Sequence, residues 1–346
     1  MWFSSRHTTV GGCFAVRLLP WTHNNLDIPI ILSIPVSNPT ISTAVPAEAT
    51  PAWLPYVVLG AAVLIVSSAA IMIRIAQREG VPSLSIAALR LSLAAAVLWP
   101  LVWSRHRAQV AALAPMEWLL GSFSGVFLAV HFGAWISSLA YTSVASSLAL
   151  VSTNPVWIAL VSWLVLREKL GRWLILGIAA AISGSALIFF SDSQLAATPA
   201  ASNALQGNIL ALIGSLTVCG YLLIGRKLRK SVALLPYIWL VYSSAAIVLV
   251  ITALAAGSPL SGFSAIAWAC LIALAIGPQL LGHSAFNWAL KHVSATFIAI
   301  AILGEPIGSA LLAWLIFGEA FAPLQLAGFC LLLAGIYLAL RAEKAG

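Results

Sequence analysis

From residue 53 onward the chain alternates long apolar runs with short polar breaks. The runs cover approximately residues 53–76, 84–104, 117–140, 145–166, 172–190, 205–226, 233–256, 265–288, 295–317 and 322–341. At a rise of about 1.5 Å per residue, each can cross a hydrocarbon layer about 30 Å thick as a helix. The connections are short, so no soluble domain is inserted. The longest break, Ser191 to Ala204, carries Asp192, Pro199 and Asn203 and separates the fifth run from the sixth. It reads as a linker between two halves. Residues 1–52 hold six prolines with several Asn, Thr and Ser, and no apolar run near 18 residues. They form neither a spanning helix nor a good signal peptide, and are expected to be a disordered tail or the product of an upstream start. The expected organisation is a tail (1–52), a five-helix unit (53–190), a linker (191–204) and a second five-helix unit (205–341).

The two halves share a pattern. Residues 155–187 and 306–338 align with Pro155 on Pro306, Trp163 on Trp314, Glu168 on Glu319, Gly177 on Gly328 and Gly184 on Gly335. Leu and Ala matches carry little weight in so apolar a chain; Pro, Trp, Glu and paired Gly in one register carry more. An internal repeat within a membrane protein points to a transporter with its site between the halves.

Composition fixes the solvent. The chain is 62% hydrophobic and 8% charged, with a mean hydropathy of +1.03. Soluble domains are about 45–50% apolar and about 25% charged, so the bilayer must cover this surface. The net charge of +8 does not signal nucleic acid, because the basic residues sit in short clusters between apolar runs. Cys219, Cys270 and Cys330 lie inside apolar runs as small packing residues, and Cys13 lies in the tail. No CxxC or Cys/His ligand spacing occurs, so neither a metal site nor a disulfide framework is expected.

Charge sets orientation. The breaks after even-numbered runs carry Arg105, Arg107, Arg167, Lys169, Arg172, Arg226, Lys227, Arg229, Lys230 and Lys291, and the C-terminal end adds Arg341 and Lys344. The breaks after odd-numbered runs carry only Arg74 and Arg78. Both termini are therefore expected in the cytoplasm. Five helices per half is an odd number, so the second half must be inverted relative to the first. The loop around Glu168 is basic, and the matched loop around Glu319 is not, as inversion requires.

The segments 143–170 (SVASSLALVSTNPVWIALVSWLVLREKL) and 304–340 (GEPIGSALLAWLIFGEAFAPLQLAGFCLLLAGIYLAL) resemble the two repeats of the EamA group within the drug/metabolite transporter superfamily. The resemblance spans roughly residues 53–341. It implies an all-α integral membrane protein of ten transmembrane helices, two inverted five-helix repeats, and a central cavity walled by both halves. Asn154 stands where the second repeat has Glu305, so any role that needs an acid there is asymmetric.

Candidate chemistry is sparse. Glu305 is the acid well inside an apolar run. Such a carboxyl must face a cavity, find a partner or hold a proton; it would suit a proton carrier, or it could satisfy backbone groups freed by Pro306. Pro155 and Pro306 each remove a helical hydrogen bond and are candidate hinges. The carbonyls near Val151 and Ile302 lose their donors there. Gly304 and Gly308, and Gly121 and Gly125, have the GxxxG spacing of close helix packing. Arg90, about six residues into the second run, could bind a carboxylate, pair with an acid or snorkel to the surface. His131 and Trp135 share one face of run three at i, i+4, and His283, Asn287 and Trp288 group on run eight. These would suit a small zwitterion or ring, or would serve as interhelical hydrogen bonds. Tyr221, Tyr242 and Gln279 are weaker candidates. Trp99, Trp103, Trp118, Trp173 and Trp268 lie near run ends, as belt residues do.

The chain is therefore expected to be a multi-pass protein of the cell (inner or plasma) membrane. It is expected to act as a secondary carrier exporting small metabolites such as amino acids or drugs by alternating access. Its expected partners are the lipid bilayer, a small-molecule substrate and a coupling proton, with no cofactor and no nucleic acid. No nucleotide-binding signature is present, and no nucleophile or metal set supports catalysis. An intramembrane enzyme using His131 or His283 as base, and a non-transporting sensor or scaffold, are the alternatives; solute flux in proteoliposomes separates them.

Overall fold

The structure, a computed structural model, describes residues 51–141, 144–164, 167, 169–195, 204–317 and 323–345. Most of the expected tail, the middle of the expected linker, and Glu168 and Glu319 lie outside the described residues. Within them the chain is helical with short connections, and no strand occurs.

The helices are α1 (Leu54–Ser67), α2 (Ala69–Arg78), α3 (Ser83–Arg105), α4 (Arg107–Ala111), α5 (Pro115–Tyr141), α6 (Val144–Val151), α7 (Asn154–Leu164) and α8 (Arg172–Leu195), followed by α9 (Ala204–Leu228), α10 (Leu234–Ala255) and α11 (Ala265–Leu274). A π-helical stretch, Ala275–His283, leads into α12 (Ser284–Ala289), and α13 (Ala295–Ile302), α14 (Glu305–Phe317) and α15 (Pro323–Ala345) complete the order. Among the described residues, six stretches are long and apolar enough to cross a bilayer, and four shorter apolar helices accompany them.

Four of the expected runs are interrupted, each for a local reason. The first divides at Ser68, where Ser67 and Ser68 turn their hydroxyls back onto the Val63 and Ile65 carbonyls at 2.7 Å, a habit that bends helices. The run through 145–166 stops before Pro155, and the run through 295–317 stops before Pro306. Each proline does more than kink its helix: it separates two helices, α6 from α7 and α13 from α14. The turns close with short-range bonds, Thr153 N to Leu150 O at 3.2 Å and Gly304 N to Ala301 O at 2.9 Å. The eighth run widens into the π stretch around Pro278, which has no N–H to donate to the preceding turn.

Side-chain placement is that of a chain solvated by lipid. Leu64, Val97, Leu119, Phe123, Ile247 and Ile251 face outward, while Arg90, Ser85, Ser124, Gln279 and Asn287 are fully buried. Trp99 and Trp103 stack at 5.1 Å, and Trp239, absent from the expected belt, joins them to Trp118.

The glycines shared by the two halves meet each other. α8 and α15 cross antiparallel so closely that a Cβ at Gly184 would lie 2.7 Å from the Gly328 carbonyl oxygen, and one at Gly335 would lie 2.7 Å from that of Gly177. The GxxxG pairs pack as well: Gly121 and Gly125 against α10, and Gly304 and Gly308 against α1.

Candidate functional site

Both helix breaks open onto one cavity. Its wall takes Val66 from α1; His131, Phe132 and Trp135 from α5; Leu148, Val151, Ser152 and Asn154 from the first break; and Val218 from α9. His283 and Phe286 come from the π stretch and α12, and Ile302, Leu303, Glu305 and Pro306 from the second break. The two halves thus contribute matched segments, with Asn154 and Glu305 at equivalent points.

The lining is apolar except for a few aimed groups. The His131 ring sits 2.9 Å from the Gly214 carbonyl through Nδ1. That bond fixes Nδ1–H as the donor and leaves Nε2 as the second nitrogen. His131 stacks on Trp135, with ring planes 12° apart. Phe132 stands between two basic side chains: the His283 ring meets it edge-on at 5.1 Å, and the Arg90 guanidinium lies 4.1 Å over its centroid.

Arg90 does not snorkel. It is fully buried, its Nε donates to Gln279 Oε1 at 2.8 Å, and its terminal nitrogens have no hydrogen-bond partner. A buried charge demands compensation; here the Phe132 face and the Gln279 amide supply it. No ion pair forms between Arg90 and Glu305 among the described residues.

Behind the lining runs a buried polar chain. Tyr242 Oη donates to Gln279 O at 3.4 Å and approaches Ser284 Oγ at 3.2 Å. Asn287 Nδ2 donates to Tyr221 Oη at 2.5 Å and to His283 O at 2.8 Å. Asn287 therefore sits in this network rather than in the cavity wall. Trp288 lies away from the cavity, its ring 4.5 Å from that of His292. Pro155 is buried at the start of α7, while Pro306 reaches the wall.

Buried side-chain atoms without a protein partner gather at this cavity: Trp135 Nε1, Asn154 Oδ1, His283 Nδ1 and Glu305 Oε1. Leaving such an atom unmet costs about 1–3 kcal/mol. Several around one cavity offer both donors and acceptors to a guest. The cavity measures about 40 Å³, whereas ligand sites run to about 300–1,000 Å³. The space is therefore several times smaller than such a site.

Residues that the sequence did not single out also matter. Ser215 on α9 donates to the Val151 carbonyl at 3.1 Å and touches Thr153 Oγ1 at 3.0 Å. It thereby meets the carbonyl that Pro155 frees. Trp157 Nε1 donates to the same Thr153 hydroxyl at 3.1 Å. Phe132 and Ser152 were equally invisible, since nothing in their spacing distinguishes them from packing residues.

The sequence profile of the EamA-like transporter family matches residues 53–190 and again residues 205–341. A crystal structure of a protein superposes on 84% of this chain and 99% of its own, with a TM-score of 0.68 at 17% identity, a likeness of fold. No curated protein matches the chain.

Proposed function

The chain belongs to the EamA-like transporter family, and we propose that it is a secondary carrier of small solutes working by alternating access. Ten spans in two inverted five-helix repeats, with both termini on the cytoplasmic face of the cell membrane, are the topology on which this rests. The six long apolar stretches and four shorter ones are consistent with it. So is the reciprocal glycine contact between α8 and α15, since a two-fold axis makes paired contacts self-matching.

The observation that carries the reading is the convergence of unpartnered polar atoms where two broken helices, one from each half, face each other. Broken helices in a bilayer are tolerated where they line a cavity, and transporters place their sites there. Trp135 Nε1–H offers a donor, Asn154 and Glu305 offer acceptors, and the His131 and Trp135 rings offer apolar faces. That set fits a small solute carrying both an amino or hydroxyl group and an apolar body, as amino acids and many drugs do. Glu305 is the titratable group of the pair, so it is assigned the coupling proton, and export is the assigned direction.

A solute cannot enter a 40 Å³ space. Binding therefore requires α6–α7 and α13–α14 to swing apart, with the turns at Ser152–Thr153 and Leu303–Gly304 as hinges. The test is flux of labelled amino acids, nucleobases and polyamines in proteoliposomes, loaded in both orientations. Saturable flux that Asn154→Ala weakens is the expected result. Product formation without flux would instead identify an enzyme, and binding without flux a sensor.

A further inference from the structure

A second cavity, of about 580 Å³, opens at the end of the bundle where α2 turns into α3 and α5 terminates. Its wall includes Arg74, Gln77, Arg78, Ser83, Ser137 and Tyr141. Arg74 and Arg78 are one helical turn apart on α2 and share a face. Neither makes an ion pair or hydrogen bond among the described residues. Like charges at i, i+4 repel each other; Arg78, in the last turn of α2, is favoured by the helix dipole, but Arg74 has no such compensation. They are also the basic residues that run against the charge bias of the loops.

The obvious neutralising acid is turned elsewhere. Glu79, next to Arg78 in the chain, accepts from Ser264 Oγ at 2.6 Å. Among the described residues no carboxylate lines this cavity. Gln77 Nε2 donates to Ser83 Oγ at 3.1 Å and to the Ile136 carbonyl at 3.2 Å, which ties α2 to α5 and holds the wall in shape. The Ser83, Ser137 and Tyr141 hydroxyls add further donors around the two forks. Arginine forks match carboxylate and phosphate oxygens in pairs, and a recess walled by one sign of charge concentrates the opposite sign.

We propose that this vestibule is an anion-binding station, which captures or releases the carboxylate or phosphate group of a solute on its way to or from the central cavity. The two spaces share α5: residues 131–135 line the central one, and residues 137–141 line the vestibule. This role rests on the carrier reading above, but the site can be tested without flux.

The vestibule's charge is read at Ser258, which lies on its wall. On a background lacking the native cysteines, Ser258→Cys is labelled with an anionic and with a cationic methanethiosulfonate. The ratio of the two rates should fall about tenfold on adding Arg74→Gln and Arg78→Gln, and should be retained with Arg74→Lys and Arg78→Lys. Calorimetry of the detergent-purified protein with succinate and with inorganic phosphate should give saturable binding that the double Gln variant weakens about tenfold or more. An unchanged rate ratio, or no binding of either anion, overturns the proposal. Binding seen only with phosphatidylglycerol in nanodiscs assigns the forks to lipid headgroups and overturns solute capture. If the protein carries no solute at all but both tests succeed, the anion site stands and the carrier reading fails. If flux is intact and both tests fail, the carrier stands without the station.

Discussion

A Cβ placed on Gly335 would lie 2.7 Å from the carbonyl oxygen of Gly177, and one placed on Gly177 would lie 3.0 Å from the carbonyl oxygen of Gly335. A Cβ on Gly184 would likewise lie 2.7 Å from the carbonyl oxygen of Gly328. Because Gly177 corresponds to Gly328 and Gly184 to Gly335, swapping the halves turns one contact into the other. Backbone lies on both sides of the seam, so no side chain can yield. Gly335→Val should therefore lower stability by about 2 kcal/mol or more, within or above the usual range for overpacking. Gly60 faces open space with nothing within 4 Å, so Gly60→Ala should be neutral or slightly stabilising. Thermal unfolding in detergent, followed by monodispersity, compares the two; equal melting temperatures would show that the seam is not tight.

Arg90 gives the second prediction. Its side-chain hydrogen bond runs to Gln279 at 2.8 Å, within a fully buried setting. Gln279→Leu removes a bond to a charged group, which is worth about 1.5–3 kcal/mol. Arg90→Met with Gln279→Leu removes the charge as well and should recover part of that loss, because an uncompensated buried charge is the costly state. A double-mutant cycle on thermal stability measures the coupling, and additive losses would mean that the two residues act independently.

Ser215 gives the third. It caps the Val151 carbonyl and holds Thr153 at the first helix break. Ser215→Ala should cost about 1–2 kcal/mol and should change transport rate more than solute affinity, since Ser215 supports the proposed hinge and is not itself among the cavity-lining residues. A change in affinity alone would place Ser215 in binding instead.

Orientation is the fourth. Single cysteines replacing Ser104 and Ser231, both exposed, should react with an impermeant thiol reagent only from the cytoplasmic side, and Ser258→Cys only from the opposite side. Reaction of Ser258→Cys from the cytoplasm would break the alternation of loops and with it the inverted topology.

The sequence makes some of this architecture readable and leaves the rest hidden. Hydrophobic runs locate the helices, because bilayer thickness fixes their length. The repeat exposes Gly177, Gly184, Pro155 and Pro306, because the same residue types recur at one offset, and it marks Asn154 and Glu305 as the aligned pair that differs. His131, Trp135 and His283 stand out as polar or aromatic residues at helical spacing, and they do line the cavity. The same logic also picked Trp288, which packs on His292 instead, because spacing along one helix does not say which side a neighbour will occupy. Phe132, Ser152 and Ser215 are of common types, and their roles arise only when distant helices meet. The π stretch changes the facing of Gln279 in a way that a 3.6-residue period cannot anticipate.

Glu305 carries the central claim. It sits at the start of α14 beside the cavity, one Oε atom has no hydrogen-bond partner, and its counterpart Asn154 is neutral at every pH. Glu305→Gln keeps the size and the acceptor oxygen but cannot release a proton. The deciding measurement is paired in the same vesicles: solute accumulation under an imposed pH gradient, and counterflow without one. The account predicts that Glu305→Gln abolishes gradient-driven accumulation and leaves counterflow largely intact, whereas Asn154→Ala weakens both without altering the pH response. Full gradient-driven accumulation by Glu305→Gln would contradict it and leave Glu305 a structural acid.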